Sequence, residues 1–166
     1  RAFLTYLPEK DLVAILLTNF GTSFPLHDFQ RDLISVLYER AYRKPKRELA
    51  YHFSCDLDRR GLDYAVARFR EHRRDTARYQ LSQAKMNEYG FFLLRRDRLK
   101  AAIAAFQLNA EAFPDSWAAH DSLAEAYLKA RLPYFAIYHY EHSLTLNPDN
   151  RRCRRKLMEL KGGKEQ

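Results

Sequence analysis

Three short patterns have the residue types and spacing that catalysis or metal binding uses. Residues 82–85 read Ser-Gln-Ala-Lys, and in a Ser-x-x-Lys pair the amine can activate the hydroxyl as a nucleophile. His139 and His142 are three residues apart, a permissible spacing for two metal ligands on one side of a helix. His52 and Cys55 have the same separation, which a Cys–His nucleophile pair can use.

Each pattern lacks the partners that its chemistry needs. Ser82 opens a predicted helix without a base motif nearby, so we interpret it as a helix cap and Lys85 as a solvated side chain. No third metal ligand lies near the two His in sequence, and no orienting group accompanies the Cys–His pair. The sequence has no phosphate-binding Gly-rich loop. We therefore expect no catalytic residue, no metal site and no cofactor in this chain.

The composition is that of an ordinary globular chain. Its 166 residues are 46% hydrophobic and 30% charged, with only 5 Gly and 6 Pro. Cys55 and Cys153 are too few for a disulfide framework, and we expect two free thiols. No apolar run approaches the roughly 18 residues that a membrane span needs, so we predict no span. The chain starts at Arg1 without Met, and we interpret it as a fragment of unknown compartment.

The chain is basic, with 29 Lys and Arg against 21 Asp and Glu and a net charge of +8. The densest run is Arg-Arg-Cys-Arg-Arg-Lys at 151–156. Such a run permits attraction to nucleic acid, but a helix would spread its side chains around most of the circumference. No nucleic-acid module accompanies it. We favour a solubilising role, with salt-sensitive nucleic-acid binding as a weaker alternative.

The first 45 residues differ from the rest of the chain. Two apolar runs, 2–7 and 12–18, flank a turn and predict a β-hairpin. Helical spacing predicts a helix over 25–41, and a basic, Pro-containing segment at 43–47 indicates a linker. A hairpin cannot bury its apolar faces alone. Either a larger sheet normally covers it or it docks on a second copy, so we predict self-association through residues 1–41.

From residue 48 onward the pattern is helical, which makes the predicted fold mainly α. Breaks at Gly, Pro and charged pairs separate seven segments. The predicted segments are 48–59, 61–75, 80–95, 98–112, 116–130, 133–146 and 150–160.

Two of the helix pairs superimpose at an offset of 34 residues. Small or aromatic residues recur in matching columns, and Pro recurs at the end of each second helix. The matching pairs are Gly90 and Ala124, Ala102 and Ala136, Phe106 and Tyr140, and Pro114 and Pro148. This helix–turn–helix period resembles the tetratricopeptide repeat. The repeats would be 83–116 and 117–150, followed by a capping helix to 163. Residues 46–82 would form a degenerate helical pair. The pattern departs at Asn109 and Ser143, where the family favours Ala.

The tetratricopeptide resemblance implies a TPR-like helical-hairpin solenoid and a concave surface lined by first-helix residues. A protein or peptide partner would bind there, although the repeats could also brace a neighbouring domain without a separate ligand. Asn87 and Phe91 do not fit the variety that grips C-terminal carboxylates. The implied groove residues are Asn87, Phe91, Leu94, Arg95, Asp121, Glu125, Leu128, Lys129, Arg152 and Arg155.

A second resemblance covers nearly the whole chain. Its hairpin residues read Leu-Pro-Glu-Lys-Asp-Leu at 7–12 and Leu-Leu-Thr-Asn at 16–19, and the tail reads Phe-Pro-Asp-Ser at 113–116, followed by Asp-Ser-Leu-Ala-Glu-Ala-Tyr at 121–127. These segments resemble the C-terminal end of a serine β-lactamase or penicillin-binding-protein-like hydrolase, some members of which carry such a tail. The resemblance implies that residues 1–45 are the remnant of a larger α/β hydrolase domain. The catalytic motifs would then lie before Arg1, and the parent protein would be exported or periplasmic.

Overall fold

The computed structural model describes residues 2–17, 26–40 and 46–162. The chain divides into two compact units, residues 1–45 (unit 1) and residues 46–166 (unit 2). The described residues are mainly helical, with a small two-stranded antiparallel sheet near the start, as the sequence predicts. The expected loop at 19–24 and most of the expected linker at 43–47 lie outside the described residues.

Unit 1 contains the predicted hairpin, formed by strands β1 (Ala2–Leu7) and β2 (Leu12–Leu17). A single 3-10 turn, Pro8–Lys10, joins them. The pairing register places Leu4 opposite Ile15 and Tyr6 opposite Val13. Residues opposite each other on antiparallel strands share one face of the sheet, and all four of these apolar side chains are exposed.

Helix α1 (Leu26–Leu37) ends four residues before the predicted boundary. Glu39 adopts a left-handed conformation with φ of 54°. The amide of Glu39 donates to the Val36 carbonyl at 3.1 Å, and that of Arg40 donates to the Ser35 carbonyl at 2.7 Å. This pair of bonds is a Schellman ending, which stops a helix by satisfying its last carbonyls. The sequence prediction was wrong here because no Gly marks the left-handed position.

The described residues of unit 2, 46–162, contain seven helices whose bounds lie within a few residues of the predicted ones. They are α2 (Leu49–Arg60), α3 (Leu62–Arg73), α4 (Gln83–Arg95), α5 (Leu99–Ala112), α6 (Trp117–Lys129), α7 (Pro133–Leu146) and α8 (Arg151–Gly162). Helices adjacent in sequence pack together as hairpins, α2 with α3, α4 with α5 and α6 with α7. Contacts also run from α2 to α4 to α6, so the first helices of the three pairs are neighbours.

Backbone features recur 34 residues apart between the second and third pairs. Helices α4 and α6 begin at positions 34 apart, and so do α5 and α7. The side chains of Ser82 and Ser116 cap α4 and α6 by accepting from backbone amides. The first helix of each pair ends before a left-handed residue, Asp97 or Arg131, each with φ of 58°. The offset found in the sequence therefore governs caps and turns as well as apolar positions.

Side-chain bonds tie the two helices of each of these pairs together. The Asn109 Nδ2 donates to the Gln83 carbonyl oxygen at 3.3 Å, and the Ser143 Oγ donates to the Trp117 carbonyl oxygen at 3.0 Å. Both donors are fully buried. The two positions where the repeat pattern departs from Ala thus make equivalent bonds to the start of the first helix.

A short parallel pairing was absent from the sequence prediction. Strands β3 (Arg47–Glu48) and β4 (Tyr79–Gln80) pair beside the start of α2. Arg47, the last residue of the expected linker, is thus also the first residue of β3. The Glu48 carboxylate accepts from the Ser82 amide at 2.9 Å and so connects the first pair to the second. Two-residue strands carry no periodic apolar signal, which is why the sequence gives no sign of them.

The core of unit 2 runs continuously through its helices, from Leu49 in α2 to Cys153 in α8. The largest fully buried side chains include Phe53, Phe106 and Tyr140. The helical pairs of unit 2 therefore share one core.

Candidate functional site

The predicted groove residues lie on α4, α6 and α8, and α4 and α6 are direct neighbours. We call this set the first-helix face. Its members are Asn87, Phe91, Leu94 and Arg95 on α4, Asp121, Glu125, Leu128 and Lys129 on α6, and Arg152 and Arg155 on α8. The structure brings some of these residues into contact, buries others in the core and leaves Arg95 and Arg155 exposed.

A charged group forms where α6 meets α8. The Glu125 carboxylate and the Arg152 guanidinium form an ion pair. Asp121, one helical turn before Glu125, is only 7% exposed. Burial raises the pKa of the Asp121 carboxyl, while the positive charge of Arg152 opposes that rise. Three residues that the sequence placed on a common face therefore interact electrostatically.

The contact between α4 and α6 includes a bond from a Lys side chain. The Lys129 Nζ donates to the Leu94 carbonyl oxygen at the end of α4, where a cation also complements the helix dipole. The Leu94 side chain is buried in the core and does not line a surface. Phe91 is half-buried with its ring against Phe106, at 5.1 Å between centroids.

Equivalent positions on α4 and α6 hold polar side chains with an unused acceptor. The Oδ1 atoms of Asn87 and Asp121 are both buried and have no hydrogen-bond partner. The two residues are 34 positions apart in the sequence. A buried acceptor without a donor costs about 1–3 kcal/mol, so its recurrence at matching positions is a notable feature of this face.

Ser82 of the Ser-x-x-Lys pattern caps a helix, as we predicted, whereas Lys85, which we expected to be a solvated side chain, is half-buried. The Ser82 Oγ accepts from the Lys85 backbone amide at 3.4 Å. The Lys85 Nζ lies 3.6 Å from the Glu48 carboxylate. Both side chains are thus engaged in the junction between the first and second helical pairs.

A group of His side chains that the sequence did not bring together lies between α6 and α7. His120 joins the pair His139 and His142, with its Nδ1 only 3.2 Å from the Nδ1 of His139. The antiparallel register of the two helices could have revealed this contact, since the same register pairs Trp117 with Ser143. Within the described part of the chain, no three His, Cys, Asp or Glu side chains are arranged to hold a metal ion.

The basic run of α8 is largely engaged in local contacts. Arg152 pairs with Glu125 on α6, and Lys156 pairs with Glu159 at 3.1 Å. The Arg154 guanidinium donates to the Pro148 carbonyl oxygen at 2.5 Å. The charges therefore point in several directions and do not form one row of free cations, which weakens the case for a phosphate-binding stripe.

No protein-family model matches this sequence, and no curated protein matches it. Over residues 2–17, 26–40 and 46–162, no helix is both long enough and apolar enough to cross a bilayer. The functional interpretation of the chain therefore rests on its helical pairs and on the first-helix face.

Proposed function

We propose that unit 2 is a tetratricopeptide-type repeat module that binds an extended segment of a protein partner on its first-helix face. The recurrence of caps, left-handed turns and side-chain bonds at 34 residues supports this proposal. The neighbouring placement of α2, α4 and α6 supports it too, because adjacent first helices make the binding surface of such repeats.

The observation that carries the proposal is the pair of unused acceptors on Asn87 and Asp121. An extended peptide presents backbone N–H groups along its length and can supply the missing donors. Neighbouring packed helices are about 8–10 Å apart, which an extended chain spans in about three residues at roughly 3.3 Å each. A change of side-chain torsion that turns each oxygen toward the bound peptide would recover both hydrogen bonds.

Selection from a library of random displayed peptides tests this proposal directly. A selected peptide is synthesised, and its affinity is measured by calorimetry for wild type and for the double variant Asn87→Ala, Asp121→Ala. We expect the double variant to bind at least about tenfold more weakly, since two hydrogen bonds are lost. Tyr138→Ala is the matched control, because Tyr138 is an exposed residue of a second helix and its loss should leave affinity unchanged.

Equal affinity of the double variant and wild type would contradict the proposed site. Failure to select any peptide would favour the bracing alternative, in which the repeats support a neighbouring domain and have no ligand of their own. Circular dichroism of each variant establishes that lost binding does not reflect lost folding.

The second candidate is that residues 1–45 are the end of a β-lactamase-like serine hydrolase. The order of hairpin, helix and helical pairs supports it, as does the exposed apolar sheet face, which a larger sheet could cover. The test is the coding sequence upstream of Arg1 together with an assay of the native protein on a chromogenic β-lactam. Ser-x-x-Lys and Tyr-x-Asn motifs upstream would support this origin, and their absence would exclude it.

A further inference from the structure

The packing between α6 and α7 encloses three imidazole rings, which we call the histidine cluster: His120 on α6 and His139 and His142 on α7. The His120 ring lies 5.5 Å from the His139 ring and 4.2 Å from the His142 ring, measured between centroids. The His120 side chain is almost completely buried, and the other two are half-buried. Three titratable rings thus share one helix–helix contact.

The hydrogen bonds of the cluster fix where its protons lie at neutral pH. The Nε2 of His120 is 3.0 Å from the Pro114 carbonyl oxygen. Since a carbonyl only accepts, this nitrogen carries the proton. The Nδ1 of neutral His120 is therefore an acceptor, and the Nδ1 of His139, 3.2 Å away, must be the donor. With His139 donating in this way, His120 is neutral.

Protonation opposes this arrangement in two ways. A proton added to His120 would place two N–H groups face to face across 3.2 Å unless His139 changed its tautomer. A proton added to His139 would place a positive charge beside two other imidazoles in a contact that excludes much of the solvent.

Around His120 and His139, the described part of the chain places aromatic rings and no compensating carboxylate. The His139 ring stacks on Tyr127 of α6 at 5.6 Å and meets Tyr138 of its own helix edge-on at 5.0 Å. Among the described residues, burial and the other histidines of the cluster lower the pKa of His120 and His139, and the bond to the Pro114 carbonyl partly opposes this for His120. No carboxylate of a neighbouring helix is among the influences on either ring.

We propose that the histidine cluster is an acid-sensitive contact that holds α6 against α7 at neutral pH and releases the two helices when His120 and His139 take up protons. Since α6 carries Asp121 and Glu125, release would also disturb the first-helix face. That consequence rests on the proposed peptide-binding function, whereas the opening of the helical pair does not.

The expected pH range follows from the environment of the rings. Burial lowers the pKa of His139 to about 4, with the nearby His120 and His142 acting in the same direction. Burial also lowers the pKa of His120. Unfolded His titrates near pH 6.5, so the unfolded chain takes up protons first. The stability that neutral rings provide is present above about pH 6.5 and is lost as the pH falls toward about 4.

Trp117 reports on this contact, because it is the single Trp of the chain and its carbonyl accepts from Ser143 of α7. The experiment follows Trp117 fluorescence, and the urea midpoint of unfolding, from about pH 7.5 to about pH 4 without any ligand. Two variants remove the titrating imidazole of His139. His139→Asn keeps an N–H donor near the position of Nδ1, and His139→Phe keeps a ring against Tyr127. His52→Asn, which replaces a half-buried histidine of α2, is the control.

We expect the wild type and the His52 variant to lose urea resistance and to shift in fluorescence over this range. The His139 variants should respond at a pH lower by at least about one unit, or with less than about half the amplitude. The two variants alter the contact differently, so at least one is expected to fold. An unchanged response in a folded His139 variant, or a wild type without a response above about pH 4, would overturn the proposal. Both of these outcomes are measured without a ligand, so neither one tests the proposed peptide binding.

Discussion

Gly90 of α4 lies directly against the ring of Phe106 on α5. A Cβ atom built at position 90 would be 2.6 Å from both Cε1 and Cζ of that ring. The ring is completely buried, and Phe91 packs on it edge-on, so it has little room to move. The absence of a side chain at Gly90 is therefore what allows α4 and α5 to approach this closely.

Gly90→Ala should destabilise the protein, because the added methyl group forces the Phe106 ring out of its packed position. Overpacking of this kind costs about 1–3 kcal/mol. Urea unfolding monitored by circular dichroism gives the free energy of unfolding. Gly162→Ala is the control, because a Cβ at Gly162 has no neighbour within 4 Å, and we expect a change within about 0.5 kcal/mol.

A smaller side chain at position 106 should relieve the clash in the Gly90 variant. We expect Gly90→Ala, Phe106→Leu to lose less stability than the sum of the two single substitutions. Strict additivity would show that the Phe106 ring is not the cause of the loss, and a Gly90→Ala variant as stable as wild type would show that the helices can separate without cost.

Ser143→Ala should weaken the α6–α7 pair, since it removes the buried bond from the Ser143 Oγ to the Trp117 carbonyl oxygen. We expect a loss of about 1 kcal/mol in the free energy of unfolding. Thr145→Ala on the same helix removes an exposed hydroxyl that bonds locally to the His142 carbonyl oxygen, and it should cost less. Equal losses for the two variants would mean that the interhelical bond does not stabilise the pair.

The Cys153 thiol should remain unreactive in the folded protein. It is fully buried, its Sγ donates to the Tyr140 carbonyl oxygen at 3.3 Å, and burial raises its pKa to about 11. Cys55 is only half-buried, and both thiols are free. At about pH 8 we expect a thiol reagent to label Cys55 rapidly and Cys153 only after unfolding. Rapid labelling of both thiols in folded wild type, or of Cys153 in the folded Cys55→Ser variant, would contradict this prediction.

The same thiol predicts an alkaline limit to stability. Its pKa in the folded state lies above the ordinary value of 9.0, so the unfolded chain loses its proton first. The stabilising contribution is present below about pH 9 and declines as the pH rises toward 11. The free energy of unfolding in urea is measured at both ends of this pH range. Between the two, Cys153→Ala should lose less stability than wild type does. An equal decrease in both proteins would exclude the thiol as the cause.

Self-association of the chain is expected through the exposed face of the hairpin. Leu4, Tyr6, Val13, Ile15 and Leu17 are all more than half exposed and lie on one side of the sheet. Contiguous apolar surface of this kind favours association. Light scattering should show a dimer whose mass falls toward the monomer in Ile15→Lys. A monomeric wild type at high concentration would refute this expectation.

The sequence by itself determined the helical pairs and their 34-residue offset. Helical bounds, the Pro114 and Pro148 breaks and the small residue at Gly90 all follow from local periodicity and helix-ending chemistry, which act within a few residues. The cap at Ser82 was predictable for the same reason. The early end of α1 at Leu37 was not, because a left-handed Glu39 carries no signal in its residue type.

Only the tertiary structure decided which distant side chains meet. His120 contacts His139 across 19 positions, and Glu125 pairs with Arg152 across 27. It also decided that Leu94 packs inward while the neighbouring Arg95 stays exposed, and that the oxygens of Asn87 and Asp121 lack donors. The physical reason is that burial and pairing depend on the angle and register at which helices pack, whereas residue spacing fixes only the face on which a side chain lies.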